Sequence, residues 1–302
     1  MGRDYFLDKD LIIDINDNIY LVYTNINPYG YVYAMLKYVY TGKGIWKGYE
    51  RVLREYGVKN MLKLNQEFTY EPCYGVSFPT IKKSKIKKHL LPEERLIEII
   101  KSPKDELEER VVSLYCETEP KRAGITGSIL AGIHHEKSDI DLVVYGCKES
   151  VDFLESFSGF DEDKEWIVET SKNYGLSLDH AKSLYDKRVR GVFKGVKFSV
   201  LFVKDKVERP CEDVCVRIRK VKLRAEVKAD CNALFYPSRV YLYNVNGLAE
   251  KPSELISYEG IYSLLLYKAR TIEVEGMLIN CNGEYKVVVG DRDVQGYVRR
   301  IL

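Results

Sequence analysis

Gly127-Ser128, followed about ten residues later by Ser138-Asp139-Ile140-Asp141-Leu142-Val143-Val144, is the stretch that decides how this chain reads. Residues 140–145 have the apolar, β-branched content of a buried strand. Side chains alternate along a strand, so Asp139 and Asp141 share one face at its entrance. Two carboxylates a few ångströms apart repel each other unless cations lie between them. Mg²⁺ suits oxygen ligands of this kind, and a pair of such ions clamps the attacking and leaving oxygens of phosphoryl transfer. Glycine at 127 lets the backbone approach a phosphate closely. The Ser128 hydroxyl and the first amides of a following helix offer it donors. Asp-x-Asp alone is common at solvated strand ends. The Gly-Ser at this distance and the apolar run behind it give the pattern its meaning.

Outward from this stretch the spacing predicts more of the same domain. Residues 122–126 read as a short strand, and two helices precede it, one opening at Leu91 and a second at about 103–115. The first is opened by Leu91-Pro92-Glu93-Glu94, with proline early and acids in the first turn. Helices are expected at about 148–157, 165–173 and 177–189, and a strand at 195–203. The first 80 or so residues are rich in aromatic and β-branched residues, with strands at 11–13, 19–23 and 31–40 and turn residues Asn16-Asp17-Asn18 between the first two. Residues 46–56 read as a helix, with Tyr49, Val52, Leu53 and Tyr56 on one face. Past residue 207 strands recur at 221–227, 239–245, 272–279 and 285–289, which suggests a barrel-like domain. Residues 253–267 read as either helix or strand. The division expected is a β-rich domain at 1–90, an α+β core at 91–206 and a β-rich domain at 207–302.

With 302 residues the chain exceeds one ordinary domain, and a net charge of +2 argues against an overall polyanion binder. Any nucleic-acid contact must then be a local patch. Lys82, Lys83, Lys85, Lys87 and Lys88 form a basic run that reads as a linker or as a phosphate-contacting patch. No uninterrupted apolar run reaches membrane-spanning length, and Met1-Gly2-Arg3-Asp4-Tyr5 leads into acidic residues without the apolar core of a signal peptide. A cytoplasmic protein is expected. Seven cysteines without a framework are read as mostly reduced. Frequent Tyr, Lys, Glu and Ile lean toward a thermophile's composition, in which intracellular disulfides occur.

Gly-Ser followed by Ser-Asp-Ile-Asp-Leu resembles the signature of the polymerase-beta nucleotidyltransferase superfamily. The resemblance is strongest over 124–145 and extends to 203. More loosely, Arg3-Asp4-Tyr5-Phe6, the stretch from Asn27-Pro28 to Lys37-Tyr38-Val39, Gly195-Val196-Lys197-Phe198-Ser199, Leu234-Phe235-Tyr236-Pro237 and Ser257-Tyr258-Glu259-Gly260 are similar to archaeal predicted nucleotidyltransferases. The resemblance implies a polymerase-beta-like core of mixed sheet and helices. It implies transfer of an NMP from an NTP to an acceptor hydroxyl, with release of pyrophosphate. Asp139 and Asp141 would be catalytic and hold Mg²⁺ or Mn²⁺, and Gly127 and Ser128 would bind the nucleotide. The acceptor is left open among RNA, a protein and a small molecule.

One departure matters. The superfamily supplies a third carboxylate from a later strand, and the position expected here holds Ser199; Asp205 has the same parity but lies beyond the apolar run. A non-catalytic nucleotide- or RNA-binding protein on the same fold is therefore the alternative reading. Lys187, Arg188 and Arg190 are candidates to neutralise the triphosphate. Weaker candidates are His134-His135-Glu136, a zinc site at Cys211 and Cys215, Asp179-His180, and a stacking surface at Trp46.

Overall fold

The computed structural model describes residues 3–73, 76–210 and 213–301; Met1, Gly2 and Cys211 of the sequence reading lie outside these. From the N-terminus come β1 (Leu11–Asp14), β2 (Ile19–Val22), β3 (Tyr31–Gly44), β4 (Gly48–Arg51), α1 (Val58–Met61), β5 (Phe68–Glu71), β6 (Val76–Lys82) and β7 (Ile86–Leu90). Then follow α2 (Pro92–Lys101), α3 (Glu106–Thr118), β8 (Ala123–Ile125), α4 (Gly127–Leu130), β9 (Ile140–Tyr145), α5 (Cys147–Ser156), α6 (Lys164–Tyr174), α7 (Leu178–Leu184), β10 (Arg190–Phe193) and β11 (Val196–Val203). The remainder is β12 (Cys215–Lys228), β13 (Ser238–Asn246), β14 (Glu254–Ser257), α8 (Ser263–Lys268), β15 (Thr271–Cys281), β16 (Glu284–Val289) and β17 (Tyr297–Arg300). They form two compact units. The first holds 1–54, 81–169 and 185–208; the second holds 55–80, 170–184 and 209–302. No helix among the described residues is long and apolar enough to cross a membrane.

The first unit contains two sheets. In one, β3-β2-β1-β7 are hydrogen-bonded in that order and β4 pairs with β3. Phe6, Ile12, Val22, Val32, Ala34 and Ile81 form its buried core. The turn between β1 and β2 is closed by Asp14, whose carboxylate accepts from the Asn16 and Asn18 amides at 2.8 Å each. Two expectations fail here. The helix read at 46–56 is instead the return arm of a hairpin, with Tyr40 opposite Tyr49 and their rings 5.1 Å apart. Gly44 decides this locally, because a Cβ there would stand 1.7 Å from the Tyr49 carbonyl oxygen. The basic run is not a linker either. It leaves β6 and enters β7, which pairs antiparallel with β1, and Lys87 meets Asp17 at 2.5 Å.

The second sheet of this unit, β10-β11-β9-β8, is the one that carries Asp141. β9 and β11 are parallel and the other two pairings antiparallel. Leu7, Val143, Tyr145 and Val203 bury one another and tie the N-terminal segment to this sheet. Gly124 lets α2 close onto β8, since a Cβ there would lie 2.6 Å from the Pro92 Cβ. An ionic network fixes the same region. Arg3 pairs with Asp10 and with Glu93 at 2.8 Å, and His89 Nε2 lies 2.9 Å from Asp10 Oδ2.

In the second unit, β12-β13-β14-β16-β15 are neighbours in that order and β12 pairs again with β15, which closes a barrel; β17 adds to β15. β14 and β16 are parallel. Alternation along β12 turns Val221, Leu223 and Ala225 inward and Lys220, Lys222 and Arg224 outward. The 253–267 ambiguity resolves as both elements, β14 and then α8, whose Leu264, Leu265 and Leu266 are buried. His180 is buried with Nε2 2.8 Å from the Val298 carbonyl, a structural role. The reduced-cysteine reading is overturned. Cys215 and Cys281 sit directly opposite each other on neighbouring strands and form a disulfide, and Cys73, Cys147 and Cys231 are disulfide-bonded too. Cys215 is therefore not free to bind zinc. Cys116 is free and exposed.

Candidate active site

Strand register builds the site. Ser199 on β11 stands opposite Asp141 on β9, and Arg190 on β10 stands opposite Ser199. Opposed residues project to one face of a sheet, so Asp141, Ser199 and Arg190 form a row across three strands. Asp139, two residues before Asp141, has the same parity.

Asp141 is held from two sides. The Ser199 hydroxyl donates to its Oδ1. Its Oδ2 lies against Gly127, where an added Cβ would stand 2.5 Å away. Gly127 also has φ +70°, a left-handed conformation that side chains disfavour. Both observations require glycine at 127. Thr126 sets the loop up: its N–H donates to the Asp141 carbonyl at 2.9 Å, and its hydroxyl donates to the Lys9 carbonyl at 2.6 Å. Ser128 follows in the short turn of α4 and is buried.

Asp139 stands exposed at the entrance of β9. Its pKa is pushed up to about 6, first by lost hydration and next by the Asp141 carboxylate; Lys197 and Arg51 oppose the push and Asp163 adds to it. Solvent access at Asp139 tempers this effect. Among the described residues neither Asp139 nor Asp141 makes an ion pair. Two carboxylates without an ion-pair partner on one face, one of them destabilised by lost hydration and by the other, form an oxygen donor set suited to a hard divalent cation.

The surroundings of the row are polar and ordered. Lys197 Nζ lies 2.8 Å from Glu165 and 3.5 Å from Asp163. The Arg190 guanidinium lies over the Trp166 ring, 5.4 Å from its centroid. The β3–β4 hairpin braces the loop that leads into β9. Trp46 packs on His135 with centroids 5.7 Å apart, and Lys47 Nζ donates to the Gly132 carbonyl at 2.8 Å.

Other candidates lie elsewhere. Asp205 is past the far end of β11 and contacts Arg122 at 2.5 Å. Four residues of strand and two more beyond it separate it from Ser199, at most roughly 20 Å of chain, so it shares parity with the row but not position. Arg188 forks onto Asp186 at 2.7 Å and donates to the Leu154 carbonyl at 2.5 Å. Lys187 is exposed beside Gly159. Of the three basic candidates only Arg190 joins the row. His134 is buried, with Nε2 2.8 Å from Asp105. Asp105, Glu108 and His134 do present ligand atoms within 4.8 Å of one another. Asp105, however, caps α3 by accepting from the Glu108 amide at 3.0 Å, while the Glu108 carboxylate accepts from the Lys104 amide at 2.8 Å and pairs with Arg95. That is a reciprocal capping arrangement whose acids already have partners.

Lys197, Arg51, Asp163 and Trp166 were missed from sequence. Lys197 alone had a signal, since it shares the parity of Ser199 two residues on.

Residues 104–207 match the family model of the nucleotidyltransferase domain. Over that stretch the chain is similar to a nucleotidyltransferase domain, and the stretch holds the whole Asp141–Ser199–Arg190 row, Asp139 and the Gly-Ser turn. Neither a curated protein nor a solved structure matches the chain.

Proposed function

We propose that this protein transfers a nucleoside monophosphate from an NTP to an acceptor hydroxyl. The acceptor oxygen bonds to the α-phosphorus, the bond from that phosphorus to the β-phosphate bridging oxygen breaks, and pyrophosphate leaves. The acceptor proton passes to solvent. The observation that carries this reading is the Asp139–Asp141 pair, without an ion-pair partner among the described residues, set against Gly127 inside the stretch similar to a nucleotidyltransferase domain. Asp139 and Asp141 would hold Mg²⁺ or Mn²⁺, which when bound supplies charge neutralisation at the transferring phosphate.

The chain's own residues divide the remaining work. Gly127 lets the triphosphate approach the backbone, and Ser128 donates to it. Arg190 brings positive charge to the same face, while exposed Lys187 and paired Arg188 lie outside the row. Ser199 orients Asp141 by its hydrogen bond. Its hydroxyl is too weak a base to deprotonate the acceptor. The acceptor is RNA, a protein or a small molecule.

Ser199 also favours a second reading, a nucleotide- or RNA-binding protein without turnover, because a third carboxylate is lacking from the row. One experiment separates the two. The protein is incubated with each α-labelled NTP, Mg²⁺ or Mn²⁺, and total cellular RNA, protein or small-molecule extract. Label appearing in an acceptor, and absent with Asp141→Asn, supports transfer. Nucleotide binding with no labelled acceptor under any condition rejects transfer and leaves the binding role.

A further inference from the structure

The barrel of the second unit has a surface that nucleotidyl transfer does not use. Its strand order β12-β13-β14-β16-β15, closed by β12 on β15, with β14 and β16 parallel and α8 between β14 and β15, is the connectivity of an OB barrel. Barrels of this kind present the outer side of their second strand to oligonucleotides, stacking bases on aromatic rings and tracking phosphates with cations.

Here β13 is the second strand. Alternation buries Val240 and Leu242 and leaves Tyr241 56% and Tyr243 48% exposed. The two rings stand on one face about 7 Å apart along the strand, close to the spacing of bases in an extended single strand. Neither ring packs on another ring or on a cation among the described residues. Lys228 lies opposite Tyr241 on the neighbouring strand. Lys228, Tyr243, Arg270, Glu226, Val227 and Thr271 line an open groove of about 590 Å³.

Charge supports the same place. Several nearby cations of this unit are matched: Lys220 with Glu275 at 2.7 Å, Lys222 with Glu273 at 3.1 Å and Arg239 with Glu254 at 3.0 Å. Lys228 and Arg270 are exposed and make no ion pair among the described residues. Unmatched cations beside unstacked rings fit a chain that carries phosphates and open base faces together. An acidic peptide would meet the cations and leave the rings unused, and a duplex hides its base faces.

We propose that this groove binds single-stranded RNA, with bases stacked on Tyr241 and Tyr243 and phosphates on Lys228 and Arg270. RNA is the chosen source because its terminal hydroxyls are also acceptors of the kind the proposed transfer needs. The binding itself stands without that transfer.

The test is fluorescence anisotropy of the intact protein with a labelled 12-nucleotide RNA, without NTP or metal, so that it reads binding independently of any reaction. Tyr241→Ala and Tyr243→Ala should each weaken binding by about 5- to 150-fold, while Tyr241→Phe and Tyr243→Phe keep the ring and the affinity. The double variant Lys228→Ala with Arg270→Ala should reduce the slope of log affinity against log salt by about 1.4, near 0.7 for each phosphate contact. These residues are exposed, and a thermal melt confirms that each variant is folded. Four results each overturn the proposal: no RNA binding by the unaltered protein, unchanged affinity in the folded Tyr→Ala variants, equal binding of a blunt duplex, or tighter binding of DNA of the same sequence.

Discussion

The first unit contains two groups of carboxylates built in opposite ways. Around the N-terminal segment the buried acids Asp8 and Asp10 have partners. Asp10 is fully buried and gripped by Arg3 and His89, and Asp8 is buried with Lys9 Nζ at 2.7 Å. At the entrance of β9 the sheet brings Asp139 and Asp141 together and supplies no ion pair among the described residues. A charge taken out of water for structural reasons needs a counter-charge from the chain. A pair left in mutual repulsion is instead ready for a charge from outside. The contrast distinguishes acids that hold the fold from acids left available to a ligand.

The sharpest way to break this contrast is Asp141→Asn. It should lower label transfer by about a thousandfold or more, since the proposed metal and phosphate contacts fail together. Its melting temperature should not fall, because removing one charge relieves the repulsion that raises the Asp139 pKa. Next in size is Asp10→Ala, which removes one of the two carboxylate partners of Arg3 and the contact to His89. A loss of about 3–5 kcal/mol in urea unfolding is expected. If Asp141→Asn proved the more destabilising of the two, the division between structural and ligand-directed acids would collapse.

Glu259 in the second unit adds a third case, a buried acid with no cation beside it among the described residues. Among these, one of its carboxylate oxygens has no hydrogen-bond partner, and burial pushes its pKa to about 7 although the Val58 amide at 3.2 Å pulls the other way. The folded protein therefore binds this proton more tightly than the unfolded chain, whose carboxyl titrates near 4.5. Stability should be intact below about pH 4.5 and decline as pH rises through 7, by about 3 kcal/mol at most. Glu259→Gln should remove that decline, and melting curves from pH 5 to pH 8.5 would show it. An unchanged pH profile would mean that Glu259 ionises without cost. The smallest effect expected is from Ser199→Ala, which removes one hydrogen bond from Asp141. Metal-supported nucleotide affinity should weaken about fivefold by calorimetry, near 1 kcal/mol, with Ser199→Thr close to the unaltered protein.

What could be read from sequence followed from local periodicity, and what could not followed from long-range pairing. Asp139 and Asp141 were legible because a period of two places them on one face with no other information. Ser199 was legible through the parity of β11. Arg190 takes its place in the row from β10, a four-residue strand too short to show a period. Asp205 shows the limit of parity, which assigns a face but not a position along the strand. Tyr49, Val52, Leu53 and Tyr56 have helical spacing, yet two glycines and a cross-strand tyrosine pair make a hairpin. The lysines of β7 bury no apolar stripe, and their strand exists through backbone pairing with β1 that charge patterning does not report. Alternation located the barrel strands, but their order, and hence the Cys215–Cys281 bond, depends on pairing over 66 residues.

The interleaving of the two units bears on how such a chain can change over time. The chain passes between them five times, at residues 54/55, 80/81, 169/170, 184/185 and 208/209. The stretch that matches the nucleotidyltransferase family is itself interrupted, because 170–184 folds with the barrel. No single recombination breakpoint separates one hydrophobic core from the other. A gene fragment encoding 104–207 would lack β1 and the N-terminal segment whose Leu7 packs against Val143 and Val203. Neither unit is then a cassette that shuffling could transplant alone, and insertions would have to enter at exposed turns while both cores are kept in one reading frame.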